Sequence, residues 1–151
     1  MNLQNRKIIA ILGAEDFSEE KIPELEEILV TRLDRGEVLF VSAGIDGDNE
    51  VFKLLCNLSK HYPSVSFFAV LSNDIFLNEL MRSGKGDLIE KGLISFDVAL
   101  TAHTPKEAEK LRDINVINRA DTVIYPQDSR FDATSFIKRH SFNQKTEIIA
   151  L

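Results

Sequence analysis

Residues 38–60 read VLFVSAGIDGDNEVFKLLCNLSK, in which an apolar run, a loop with two glycines and an amphipathic segment follow one another directly. The apolar run at residues 38–42 is typical of a strand that is buried on both faces of a parallel sheet. Residues 49–60 place apolar side chains at helical spacing, which predicts an amphipathic helix. Those side chains are Val51, Leu54, Leu55 and Leu58. The stretch therefore predicts a strand–loop–helix unit, from which α/β folds are built.

The same alternation of strands and helices extends in both directions along the chain. Strands are predicted at residues 7–12, 38–42, 65–71, 121–125 and 146–151, with an extra edge strand at residues 93–100. Helices are predicted at residues 22–33, 49–60, 76–81 and 131–140, with a turn at residues 87–91 and a helix that begins at Pro105. Because successive β-α-β units cross over with the same hand, we expect one doubly wound, mostly parallel, Rossmann-like sheet. The predicted order of the core strands is 3-2-1-4-5, which puts residues 121–125 beside the first strand.

The helix that begins at Pro105 has a clear start signal. Thr104 is a good N-cap residue, and proline is well tolerated at the first helical position. The spacing of its apolar residues predicts that Ala108, Leu111 and Ile114 face the core.

The length and the net charge of the chain limit its domain count and the kinds of partner that it can bind. The 151 residues predict one globular domain that spans residues 1–151. A formal net charge of −6 argues against nucleic acid and against an anionic membrane surface as partners, because both require a basic face. No apolar run approaches the roughly 18 residues that a membrane span needs. The single cysteine, Cys56, is expected to face the core, and the absence of a second one fits the cytoplasm.

The carboxyl ends of the strands are the expected ligand-binding edge of such a sheet. Three loops meet there, at residues 13–17, 43–49 and 126–134. The residues that we expect to line this crevice are Gly13, Ala14, Ser42, Gly44, Asp46, Gly47, Asn49, Pro126, Ser129, Arg130 and Thr134. Arg130 is the only cation that we expect there, and its guanidinium can grip a phosphate through two N–H groups.

The glycine loop after the second strand resembles the signature turn of the SLOG superfamily, which unites DprA-like and LOG-like Rossmannoid domains. Ser42, Gly44 and Gly47 match its Ser-Gly-Gly-x-x-Gly-x-Asp pattern, whereas Ala43 and Asn49 depart from it. Within the superfamily the chain is most similar to the small YpsA-like proteins. The resemblance extends to the Tyr-Pro turn at residues 62–63 and to residues 96–103 and 115–121. It implies a Rossmann-like fold with a nucleotide or nucleotide-derived ligand in the crevice.

The resemblance does not extend to the phosphate loop of the LOG-type enzymes, which cleave a nucleoside monophosphate at its N-glycosidic bond. Their loop reads Pro-Gly-Gly-x-Gly-Thr, and residues 126–134 keep only Pro126 and Thr134. No glycine follows Gly92, although a backbone that approaches a phosphate closely usually needs one. We therefore favour a binding module with weak catalysis or none.

Three interpretations of function remain open. The first is a binding module for a nucleotide-like small molecule. The second is an N-glycosidic hydrolase or transferase that uses Glu15, Asp16 or Asp46, although Glu15 and Asp16 also fit an exposed acidic turn. The third is a scaffold that acts through a protein partner.

No histidine, cysteine or acidic residues cluster at metal-ligand spacing, so neither a metal nor another cofactor is expected. A homodimer or higher oligomer is predicted, partly because members of the SLOG superfamily often pair. The other reason is the region at residues 67–77, which is more apolar than an exposed edge of a sheet needs to be, unless the predicted extra strand covers it.

Overall fold

A computed structural model describes residues 7–42, 50–63, 65–71, 94–98, 104–127, 133–141 and 145–151. Over these residues six parallel strands form one sheet. The strands are β1 (Ile8–Ile11), β2 (Val38–Ser42), β3 (Phe67–Leu71), β4 (Ile94–Val98), β5 (Thr122–Tyr125) and β6 (Glu147–Ala150). The helices are α1 (Ile22–Leu33), α2 (Glu50–His61), α3 (Pro105–Arg119) and α4 (Ala133–His140), and short 3₁₀ turns cover Ala14–Asp16 and Glu19–Lys21.

The strand order is β4-β3-β2-β1-β5-β6. It confirms both the α/β class and the predicted core order, because β5 and β6 are the fourth and fifth core strands. The predicted extra strand is β4, which pairs in parallel with β3 at the edge of the sheet. Since β4 pairs along that side of Phe67–Leu71, this strand is not an exposed edge that a second copy could cover, and the oligomer stays a prediction.

The two faces of the sheet bury alternate residues of the same strands. Ile9 and Ile11 of β1 pack into the core formed with α1 and α2, whereas Ala10 and Leu12 pack into the core formed with α3 and α4. This alternation follows from the period of two in a strand. Helices therefore cover both faces, which makes the sheet doubly wound.

Most predicted helices and caps agree with the structure. Helix α1 has the predicted bounds, and Gly36 follows it with a φ of 79°. The Thr104 Oγ1 accepts a hydrogen bond of 3.2 Å from the N–H of Glu107, which confirms the predicted N-cap of α3. Cys56 is buried in the core, as expected. The predicted segments at residues 76–81 and 87–91 lie outside the described residues.

The predicted inner face of α3 is wrong at Leu111, which is exposed. Among the residues of α3 whose side chains the structure describes, Arg112, Val116 and Ile117 are buried. Arg112 precedes Val116 by four residues, which puts both on one face of the helix. Leu111 lies about 100° away from Arg112 around the helix axis, and so it points away from that face.

Three polar contacts lie at the amino-terminal edge of the sheet. The Oδ2 of Asp121 accepts a 2.9 Å hydrogen bond from the N–H of Ile8, which fixes β1 beside β5. Arg32, near the end of α1, pairs with Glu37 before β2 and with Glu147 in β6. None of the described helices has the length and apolar character that crossing a membrane requires.

Candidate functional site

A cavity of about 400 Å³ lies at the carboxyl ends of β1 and β5. The strand order reverses between these two strands, since β2 and β3 lie on one side of β1 while β5 and β6 lie on the other. Open α/β sheets bind their ligands at such a reversal. The lining residues are Leu12, Gly13, Glu15, Asp16, Lys106, Glu109, Lys110, Arg112, Asp113, Tyr125, Pro126 and Phe136.

Gly13 turns the chain at the end of β1 and begins the 3₁₀ turn that carries Glu15 and Asp16. Its φ is 61°, in the left-handed region that favours glycine, and its carbonyl accepts a 2.9 Å hydrogen bond from the N–H of Asp16. A Cβ on Gly13 would lie 3.2 Å from the Cδ of Pro126. Both the backbone conformation and the close approach of Pro126 therefore favour glycine here.

Helix α3 supplies the charged wall of the cavity. Lys106, Glu109, Lys110 and Asp113 recur at spacings of three and four residues, which puts them on one side of the helix. The wall carries both signs of charge, so it can contact anionic groups as well as hydrogen-bond donors of a ligand.

Arg112 is the most buried charge in this wall. The residue is 2% exposed, and its Nε donates a 3.1 Å hydrogen bond to the Oδ1 of Asp113. Charged side chains are almost never buried to this degree without a partner, and Asp113 is a partner of opposite charge. Arg112 thus brings a fixed guanidinium to the cavity wall.

The surroundings of Glu15 shift the pKa of its carboxyl group, although the residue is exposed. Desolvation by the surrounding protein raises the pKa of its carboxyl group above the ordinary 4.5, and the negative charges of Asp16 and Asp113 add to that rise. A hydrogen bond from its own backbone N–H and the charge of Arg112 act in the opposite direction. The net effect is a raised pKa, which is a feature of functional carboxyl groups.

The floor of the cavity is apolar and partly aromatic. It consists of Leu12, Tyr125, Pro126 and Phe136. The Phe136 ring also packs against the ring of His140, with centroids 4.8 Å apart. Such a floor can accept the flat face of a base or a sugar.

The sequence-predicted site residues fall into three groups. Gly13, Glu15, Asp16 and Pro126 line the cavity. Ala14 is buried beside them in the core. The remaining candidates have side chains outside the part of the chain that the structure describes: Ser42, Gly44, Asp46, Gly47, Asn49, Ser129, Arg130 and Thr134.

The expectation that Arg130 is the only cation at this crevice is wrong. Lys106, Lys110 and Arg112 all line the cavity from α3. Sequence reasoning missed them because it placed the ligand among the loops and treated α3 as a purely structural helix. The available signal was Arg112 itself, four residues before the apolar pair Val116 and Ile117 and therefore on the buried face.

Comparison with known proteins adds nothing to this site. No protein-family model, curated protein or solved structure matches the chain. Among the described residues, no three histidine, cysteine, aspartate or glutamate side chains lie close enough to hold a metal ion.

The raised pKa of Glu15 predicts how stability depends on pH. The carboxyl group of Glu15 ionises near pH 4.5 in the unfolded chain and at a higher pH in the folded protein. The contribution of Glu15 to the free energy of unfolding therefore falls as the pH rises through the pKa of the folded state. We therefore expect Glu15→Gln to be more stable than the wild type at pH 7 and equal to it near pH 4. Urea unfolding at both pH values measures this, with Glu19→Gln, which lies outside the cavity, as the control. A Glu15→Gln variant that is less stable than the wild type at pH 7 would contradict the assignment.

Proposed function

We propose that the protein is a binding module for a nucleotide or nucleotide-derived small molecule, held in the cavity at the ends of β1 and β5. The observation that carries the proposal is the place of this cavity at the reversal of strand order. Its volume of about 400 Å³ falls within the range of small-molecule sites. The sequence resemblance to the SLOG superfamily implies the same class of ligand.

The chemistry of the lining fits a ligand with one flat apolar part and one anionic part. Tyr125 and Phe136 offer aromatic surface to a base, and the cations of α3 offer charge to a phosphate. The carboxylates of Glu15 and Asp16 accept hydrogen bonds from amine or hydroxyl groups of the same molecule.

The proposal is tested by titrating AMP against the protein and against two variants of α4. We expect saturable binding to the wild type, weakened about tenfold in Phe136→Ala, since loss of base stacking costs roughly 1–3 kcal/mol. Lys138→Ala, which changes an exposed residue outside the cavity, is expected to bind like the wild type. If no nucleoside mono-, di- or triphosphate binds the wild type at millimolar concentration, the proposal fails and the scaffold interpretation gains support.

The second candidate is an N-glycosidic hydrolase or transferase, and one observation favours it. Glu15, with its raised pKa, and Asp16 lie together in the cavity, and a carboxyl pair of this kind is what glycosidic cleavage uses for acid–base or nucleophilic work. Against it stands the missing phosphate loop. We therefore expect no free adenine when AMP is incubated with the protein. Adenine that exceeds a Glu15→Gln control, measured by chromatography, would establish the enzyme instead.

A further inference from the structure

The described residues that line the cavity carry more negative charge than positive charge. Three of them are cationic and four are acidic: Lys106, Lys110, Arg112, Glu15, Asp16, Glu109 and Asp113. With all four carboxyl groups ionised, this lining has a net charge of −1. An anion that enters the cavity therefore meets no excess of positive charge.

The cavity is small enough for this balance to act on an anion wherever the anion lies. A sphere of about 400 Å³ is about 9 Å across, close to the Debye length of about 8 Å at physiological ionic strength. A charge inside the cavity thus interacts with the lining as a whole. One cation is also engaged already, because the Nε of Arg112 donates a 3.1 Å hydrogen bond to the Oδ1 of Asp113. An anion is therefore bound more tightly when a carboxyl group of the lining takes up a proton.

Glu15 is the carboxyl group that is suited to take up this proton. It lines the cavity from the turn after β1, where the negative charges of Asp16 and Asp113 act on it. Desolvation raises the pKa of Glu15, and it outweighs the backbone hydrogen bond and the charge of Arg112, which both lower that pKa. An anion in the cavity adds a further negative charge and so favours the protonated form still more.

The other titratable groups around this turn are Tyr125 of β5, which lines the cavity, and those of α2, which packs against the turn. The charged residues of α2 are Glu50, Lys53, Lys60 and His61. The Nζ of Lys53 lies 3.2 Å from the Oε1 of Glu50, so these two charges offset each other. No charge of α2 is among those that shift the pKa of Glu15 within the described part of the chain.

We propose that Glu15 couples the binding of an anionic ligand in this cavity to the uptake of a proton from water. The inference rests on the proposed function and adds how that site depends on pH. The proton cancels the excess negative charge of the lining and turns one oxygen of Glu15 into an O–H that donates a hydrogen bond to the anion. The other oxygen still accepts a hydrogen bond from an amine or hydroxyl group of the ligand. The affinity for an anion therefore rises as the pH falls through the pKa that Glu15 has in the complex.

The experiment measures the binding of AMP, and of adenosine as its uncharged counterpart, by calorimetry at pH 7.5 and pH 5.0. Glu15→Gln keeps the side chain uncharged at both pH values, and Glu19→Gln, which removes one charge outside the cavity, is the matched control. At pH 7.5 we expect Glu15→Gln to bind AMP about tenfold more tightly than the wild type, which corresponds to about one pKa unit of interaction between the anion and the Glu15 carboxylate. At pH 5.0 the two proteins are expected to differ by less than about threefold, and Glu19→Gln is expected to follow the wild type throughout.

Two features keep this comparison specific to Glu15. The phosphate of AMP titrates in the same range, near pH 6, but it does so for every protein, and the ratio of affinities therefore reports the substitution. Adenosine carries no anion, so its affinity is expected to change less than about twofold between the wild type and Glu15→Gln. Titrations at pH 6 in buffers of different ionisation enthalpy count protons directly, and the wild type is expected to take up more protons per AMP than Glu15→Gln.

The outcomes separate this inference from the function on which it rests. If Glu15→Gln binds AMP no more tightly than the wild type at pH 7.5, or if Glu19→Gln or adenosine shows the same gain, the coupling is wrong and the binding module stands. If AMP binds none of the three proteins at either pH, the proposed function fails and the inference fails with it. Because the expected change is a gain of affinity, unfolding of the variant cannot produce it.

Discussion

Replacing Arg112 by methionine is expected to lower the free energy of unfolding by roughly 3 kcal/mol, the low end of the range for breaking a buried ion pair. The Arg112 side chain is 3% exposed, and its loss leaves Asp113 without the guanidinium that binds it. The low end of this range applies because the Asp113 side chain is 26% exposed, so that water solvates its carboxylate when the guanidinium is removed. The same substitution removes the positive charge that lowers the pKa of Glu15, so that pKa rises further.

Chemical denaturation measures the stability change, and carboxyl NMR measures the pKa of Glu15. Arg119→Met, an exposed position on the same helix, is the matched control and is expected to change stability by less than about 0.5 kcal/mol. The double variant Arg112→Met and Asp113→Asn is expected to recover part of the loss, because it no longer leaves the Asp113 carboxylate without the guanidinium that binds it. An Arg112→Met variant as stable as the wild type, with an unchanged Glu15 pKa, would show that the guanidinium does not lie in this cluster.

Replacing Gly13 by alanine is expected to lower the free energy of unfolding by about 2–3 kcal/mol. A left-handed backbone costs an alanine roughly 1–2 kcal/mol, and the φ of Gly13 is 61°. The remainder comes from the new Cβ, which would lie 3.2 and 3.3 Å from two atoms of the Pro126 ring. For a domain of this size each kcal/mol lowers the melting temperature by roughly 2–4 °C, which thermal unfolding detects.

Gly36 provides the control for this prediction. Its φ is 79°, so alanine there meets similar backbone strain, but a Cβ at Gly36 would have no atom within 4 Å. We expect Gly36→Ala to cost only the roughly 1–2 kcal/mol of backbone strain. Equal losses at the two glycines would mean that Pro126 does not approach the end of β1 as the structure has it.

The fold could be predicted from the sequence because its strands are short apolar runs, which fit few positions in a folded protein other than a buried strand. A segment such as residues 7–12 finds no stable place except the centre of a sheet covered on both faces. Once the strands and intervening helices are fixed, the constant handedness of the crossovers leaves few topologies, and the strand order follows. The partner of the extra strand could not be foreseen, because residues 93–100 carry no sign of which edge they join.

The candidate site was only partly predictable. Gly13 could be found because a glycine directly after a buried strand marks a turn at the binding edge. Arg112 could not be identified with equal ease, because arginines are mostly exposed and its burial depends on how α3 packs against the sheet. Phe136 could not be assigned to the cavity either, because its position there depends on how α4 packs beside α3.

The most direct test of the central claim is an NMR titration of the uniformly ¹⁵N-labelled protein with AMP. We expect saturable shifts concentrated at the backbone amides of Leu12, Gly13, Tyr125 and Phe136, which surround the cavity. The amides of α1, on the opposite face of the sheet, are expected to stay unchanged. The absence of any shift at millimolar AMP, or shifts confined to α1 and α2, would contradict the claim that this cavity binds a nucleotide.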